Sequence, residues 1–321
     1  MKDSIQKVLL AVVFLLGTSV FVQAQSVDDA GAALNQGIKH KKEGNFEKAA
    51  QSFQKAIDLA EMAGPDAFNI EEDAKKQLPL MYFKDAAAAY QNKQYEEAAN
   101  KFKKTAEVAK KYNQNSLYKK AARNVPALYN AIANSQRKQK NFEEAHKYFD
   151  KAIAFNSSYA KAYLGKMLIY KALGDEDNML SMLKKIKEIN PDGKSAQNAE
   201  SMVQTYYLKK AKSKVDAENY SAALEDMKKY NDYGPGNAQG FYLSAVVYNK
   251  TGQYQKGADF AKKALNGNPG KDLKSNIYFE LGNAYSGLNK KTEACNAYAN
   301  ALGGPSGKAA KYQMNEVLKC D

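Results

Sequence analysis

Tryptophan is absent from this chain of 321 residues, cysteine and histidine occur twice each, and proline seven times. Each scarcity removes a class of chemistry. Cys295 and Cys320 do not form a Cys-x-x-Cys pair, so no adjacent thiol depresses a thiolate pKa and a thiol redox enzyme is not expected. His40 and His146 stand apart, neither with a second histidine or a cysteine at metal-ligand spacing. There is no G-x-S-x-G elbow and no G-x-x-x-x-G-K-[ST] loop; the GNPGK run from Gly267 to Lys271 is too short for the latter and reads as a turn that stops a helix. The acidic clusters Glu71-Glu72-Asp73 and Asp175-Glu176-Asp177 fit helix starts, where carboxylates complement the positive end of the macrodipole, better than a calcium site. The expectation is a protein without catalytic residues, cofactor or metal, and not an enzyme. A long Ser/Gly/Pro-rich linker is also missing, which favours one array over separate domains.

What the chain has instead is one phrase written repeatedly: NFEKAAQSFQKAI from Asn45, QYEEAANKFKKTA from Gln94, NFEEAHKYFDKAI from Asn141, NYSAALEDMKKY from Asn219 and QYQKGADFAKKAL from Gln253. An aromatic is followed three places on by a small residue, then by a bulky apolar group, then by another residue that is usually small. At 3.6 residues per turn these side chains share one helix face, with small residues where a neighbouring helix must come close. Tyr220 and Tyr254 lie 34 residues apart, and a copy expected 34 residues after Phe142 survives in degenerate form as LGDEDNMLSMLKKIKEINP, with Met179 at a place usually small.

A 34-residue helix–turn–helix period resembles the tetratricopeptide repeat, with a helix A and a helix B per unit. The last copy shows the pattern most fully, in Tyr278, Leu281-Gly282, Tyr285, Ala294, Tyr298, Ala301 and the terminating Pro305; tyrosine stands where the family prefers tryptophan. The fold expected is all-α, a right-handed α-solenoid of about seven hairpins near 30–62, 79–112, 126–157, 160–191, 204–235, 238–269 and 275–305, closed by a polar capping helix over 306–321. Insertions fall near 64–78, 113–125 and 192–203; the first two look helical, with a kink or a new start expected at Pro79 and Pro126.

Residues 1–24 read differently. Lys2 and Lys7, the apolar run VLLAVVFLLGTSVFV and Val22-Gln23-Ala24 before Gln25 have the pattern of a cleaved export signal, and the run is shorter than the roughly 20 residues a membrane-spanning helix needs. The expected location is the periplasm, with the cell surface or secretion as alternatives. In an oxidising compartment Cys295 and Cys320 are expected to pair and to fasten the cap over the last apolar face of the array.

Loss of the leader leaves 46 basic against 34 acidic residues, a net charge of +12. Export makes nucleic acid a poor partner for that charge, and lysine pairs such as Lys110-Lys111, Lys184-Lys185 and Lys262-Lys263 suit solvated helix faces. The resemblance implies that the inner surface of helices A holds a protein or peptide, an acidic one on charge grounds. Mapped onto this chain, that surface comprises Phe83, Tyr90, Asn130, Asn134, Arg137, Lys161, Leu168, Lys212, Tyr242, Asn249, Phe279 and Asn283, of which Phe83, Leu168 and Tyr242 could equally face a neighbouring repeat as core. The carboxylate clamp of chaperone-binding members is not implied, because Gly165 stands where it requires asparagine. The function expected is an exported scaffold within an envelope assembly or transport complex; the alternative is a basic binder of an anionic glycan or surface polymer.

Overall fold

Every regular element among residues 27–320, which the computed structural model describes, is a helix; the leader expected at 1–24 lies outside the described residues. The chain divides into two units between Ile169 and Tyr170. The first holds α1 (27–42), α2 (Phe46–Ala63), α3 (Phe68–Gln91), α4 (Tyr95–Lys111), α5 (Asn115–Lys138), α6 (Phe142–Phe155) and most of α7 (Ala160–Leu173). The second holds α8 (Glu176–Ile189), α9 (Lys194–Asp216), α10 (Tyr220–Asp232), α11 (Ala238–Lys250), α12 (Tyr254–Asn266), α13 (Lys271–Gly287), α14 (Lys291–Ala301) and α15 (Gly307–Tyr312). In the first unit α1 with α2, α3 with α4 and α5 with α6 make helix pairs, and in the second α9 with α10, α11 with α12 and α13 with α14 do the same, each pair packed on the next.

One turn recurs inside the pairs. A residue with φ between 57° and 78° sits two places ahead of the second helix, at Gly44, Lys93, Lys140, Gly174, Glu218, Gly252 and Asn289. The N–H of the next residue returns to a carbonyl five residues back, as in Asn45 to His40, Gln94 to Ala89, Asn219 to Lys214 and Lys290 to Tyr285, at 2.8–3.0 Å. This left-handed C-terminal cap satisfies a carbonyl that the helix end would leave bare, and the residue that closes it becomes the N-cap of the next helix. The chain therefore reverses within three residues.

Between helices the interface is built from alanine and from rings. Phe53, Phe149, Tyr230 and Tyr298 are all at most 1% exposed. Each faces a glycine on an adjoining helix, where a Cβ would run into the ring: Gly37, Gly165, Gly240 and Gly282 respectively. Two of these contacts lie within a hairpin (α1 with α2, α13 with α14) and two join successive hairpins (α6 with α7, α10 with α11). The repeating phrase thus supplies the ring and the helix beside it supplies the vacancy. Met179, large where small residues are usual, is fully buried in α8.

Of the kink or new start expected at Pro79 and Pro126, the new start does not occur: α3 and α5 run continuously through both. Proline at 79 cannot donate to the Lys75 carbonyl one turn back. Gln114, from the turn between α4 and α5, takes that place, its Nε2 donating to the Lys75 oxygen at 3.0 Å and to that of Lys76 at 3.3 Å. The capping helix expected over 306–321 begins at Gly307 and changes character along its length. It is α-helical only to Tyr312 and widens into a π-helical turn over Gln313–Leu318. Met314 and Leu318 from this turn pack with Ala294, Tyr298, Ala301 and Ala310, covering the end of the second unit.

Cys295 in α14 and Cys320 beyond the π turn have Cα atoms 5.9 Å apart, inside the range a disulfide spans. A bond closing a separation of 25 residues removes chain entropy from the unfolded state worth about 3 kcal/mol. Urea unfolding of the oxidised protein with and without reductant should differ by a fall of that order in the terminal hairpin; superimposable curves would show that the bond does not form or does not hold the cap.

Candidate binding face

The second unit carries a cleft whose walls are two helices. On α9 the buried stripe runs through Ala196, Ala199, Val203, Tyr207 and Ala211. The neighbouring stripe, Thr205, Leu208, Lys209, Lys212, Val215 and Asp216, repeats every three to four residues and so stays on one side of the helix. Gln239, Tyr242, Leu243 and Val246 of α11 form the opposite wall, and the space between has a volume of about 600 Å³. Its lining is mainly apolar, with Lys209 and Lys212 along the α9 wall and Asp216 at the end of that stripe.

The back of α9 is fixed by a carboxylate hub. Tyr207, fully buried, donates its hydroxyl to Glu176 Oε1 at 2.7 Å, and Lys210 and Lys229 reach the same carboxylate at 2.7 and 2.6 Å. Burial alone would raise the Glu176 pKa; the hydrogen bonds from Lys210, Lys229 and Tyr207 overcome it and hold the group down at about 2. Lys214 pairs with the buried Asp226 at 2.7 Å. These contacts tie α9 to α8 and α10, so the front stripe is presented by a braced helix.

On the front the charges are treated differently. Lys209 and Lys212 are exposed and, among the described residues, enter none of the ion pairs that occupy Lys210 and Lys214. Lys171, near the end of α7, is half-buried, and burial together with the charge of Lys209 lowers its pKa. Lys209 and Lys212 thus line the cleft unpaired, with Lys171 near enough to Lys209 to feel its charge.

A second polar feature joins α11 to α13. Glu280 is 8% exposed; Asn249 Nδ2 donates at 2.8 Å both to its carboxylate Oε2 and to its backbone oxygen. Gly257 leaves room for the Asn249 amide, since a Cβ there would overlap its oxygen. Burial raises the Glu280 pKa against the opposing hydrogen bonds from Asn249 and Asn283 and the charge of Lys250. The Tyr242 hydroxyl is likewise raised, first by burial and then by Glu280.

Tetratricopeptide-repeat models match residues 30–61, 126–159, 208–272 and 275–303, which include both walls of the cleft from Leu208 onward. The chain belongs to the tetratricopeptide-repeat family. Solved structures similar to it include a MamA protein, 20% identical with a TM-score of 0.37 over 58% of this chain and 94% of that one. YrrB, a TPR protein with an unusual peptide-binding site, is 17% identical with a TM-score of 0.35 over 55% and 84% of the two chains. A tetratricopeptide repeat protein from Parabacteroides merdae ATCC 43184 is 15% identical with a TM-score of 0.27 over 92% and 98%. No curated protein matches the chain.

Tetratricopeptide-repeat proteins bind protein or peptide partners, and this fold is typically a non-catalytic scaffold. Among the described residues no group of three or more His, Cys, Asp or Glu side chains is placed to hold a metal. Of the residues expected on the inner surface, the structure brings Lys212 and Tyr242 together in the cleft. Asn130, Asn134 and Arg137 form a ladder along α5, in which Asn134 donates to the Asn130 backbone oxygen at 2.8 Å and accepts from Arg137 Nε at 3.3 Å. Tyr90 is exposed and leans on Tyr95 with ring centroids 5.8 Å apart; Lys161 is exposed and Leu168 half-buried.

Four others are committed to packing. Phe83 meets Phe102 edge-on at 5.3 Å, Phe279 tilts on Tyr298 at 5.6 Å, and Asn283 accepts the Tyr298 hydroxyl at 2.9 Å. Asn249, 7% exposed and bonded to Glu280, is withdrawn from any partner, which corrects its placement on the open surface. Leu208 and Lys209, which the three-to-four spacing from Thr205 to Asp216 marks, and Val246 on α11 were not among the expected residues.

A raised folded-state pKa means that the folded protein takes up the Glu280 proton before the unfolded chain does, at about pH 4.3. That contribution is complete below the unfolded pKa and is lost as pH rises through the folded one. Stability should therefore climb as pH falls from neutrality toward about 4.3, and Glu280→Gln should flatten that part of the profile, read by urea midpoints across the range. A profile of unchanged slope in the variant would show that the carboxyl is not held above its ordinary value.

Proposed function

We propose that the protein is an exported scaffold, working in the periplasm, that holds another polypeptide on the face formed by the first helices of its repeats, within an envelope assembly or transport complex. The observation that carries this reading is the cleft between α9 and α11, where Leu208, Tyr242, Leu243 and Val246 offer apolar anchors beside Thr205 and Gln239, which can bond a peptide backbone. The hub at Glu176 fixes one wall beforehand, so little conformational entropy remains to be lost on binding. Export is supported by the leader-like sequence before Gln25 and by two cysteines at bonding distance, as suits an oxidising compartment.

The test is site-specific photocrosslinking in intact cells. A photoreactive residue at Tyr242 should capture a discrete envelope polypeptide that the same residue at Lys263, exposed on α12, does not, and the scaffold itself, recovered from the envelope, should begin at Gln25. Equal capture from both positions, or none from Tyr242, would contradict the binding face; a protein found in the cytosol with its leader intact would contradict export.

A further inference from the structure

The lysines around the cleft narrow what it can hold. Lys209 and Lys212 line it on successive turns of α9, and among the described residues neither is paired with a carboxylate. Elsewhere in the same unit lysines are paired closely with acids, Lys210 and Lys229 with Glu176, Lys214 with Asp226 and Lys187 with Glu200, all at 2.6–2.7 Å. Unpaired cations beside apolar side chains favour the approach of an anionic group. Asp216 closes the stripe one turn beyond Lys212, so the lysines occupy its middle and the acid its end.

Length sets a second limit. From Thr205 to Asp216 the α9 wall advances about 16 Å at 1.5 Å per residue. An extended chain rises about 3.3 Å per residue, so about five residues lie along it. Tyr242, Leu208 and Val246 suit one or two bulky side chains, because apolar anchors in a partly desolvated pocket carry most of a peptide's affinity.

We propose that this cleft binds an extended peptide segment of about five residues in which Asp or Glu stands next to a bulky apolar residue, the carboxylate on Lys209 and Lys212 and the apolar group against Tyr242. The assignment rests on the reading of this face as a polypeptide-binding groove and deepens it by naming the chemistry of the partner. Exposed charge attraction is screened over about 8 Å at physiological ionic strength, so the acidic preference weakens with salt while the apolar contribution persists.

Fluorescence anisotropy with two labelled, end-blocked octapeptide pools separates the possibilities. In one pool Asp or Glu alternates with Leu or Phe; in the other Asn or Gln replaces the acids. The acidic pool should bind at least tenfold more tightly, the double substitution K209E/K212E should abolish that preference, and Tyr242→Ala should weaken both pools, with circular dichroism confirming that each variant is folded. Equal binding of the two pools, or an acidic preference that survives K209E/K212E, would overturn the inference while leaving a peptide groove in place. Failure of both pools to bind would overturn the inference and the groove together.

Discussion

The fit of an aromatic ring into the space left by a missing side chain is the contact on which the rest of this protein depends. Phe149 is wholly buried against Gly165, and Phe53, Tyr230 and Tyr298 meet Gly37, Gly240 and Gly282 in the same way. Interiors pack at crystal-like density, so a helix can approach a ring this closely only where its own side chain is absent. Alanine does the same work along the remaining contact lines, from Ala49 and Ala50 in α2 to Ala294 and Ala297 in α14. Because such contacts lie both within hairpins and between successive ones, each hairpin is held by its neighbours and gains little from distant parts of the chain.

That packing dictates which surface is left over. The second helices spend their apolar faces on rings and alanines, while the first helices keep a stripe beside the buried one. On α9 the stripe from Thr205 to Asp216 remains open because Tyr207 and its hydrogen bond to Glu176 face the other way. The contrast in how lysine is used follows from the same geometry. On the packed side Lys210 and Lys214 neutralise carboxylates that would otherwise be costly to bury; on the open side Lys209 and Lys212 meet only solvent and the cleft.

Much of this was legible in the sequence. The spacing of aromatic and small residues in each phrase fixes which helix faces pack, and glycine or asparagine at Gly44, Gly174, Gly252 and Asn289 announces the left-handed turn. Lys93, Lys140 and Glu218 adopt the same conformation without that signal, since the shared turn imposes it. Continuity through Pro79 was hidden because the group that satisfies the Lys75 carbonyl, Gln114, lies 39 residues away in the chain. Asn249 looked like a polar residue on an open surface. Its commitment to Glu280, 31 residues on, follows from how α11 meets α13, which no local pattern states. Lys212 and Tyr242 could be placed because each lies on the stripe next to a clear core position, whereas Leu208 and Lys209 directly follow the core Tyr207 and needed the helix phase to within one residue.

The most direct test of the central contact is a double-mutant cycle in urea between Gly165→Ala and Phe149→Leu. Overpacking the ring should make Gly165→Ala cost about 1–3 kcal/mol despite alanine's better helix propensity. In the presence of Phe149→Leu, which vacates the space, most of that cost should disappear, leaving a coupling energy of at least about 1 kcal/mol. Additive effects of the two substitutions would contradict the account, because they would show that the ring and the glycine do not define the distance between the helices.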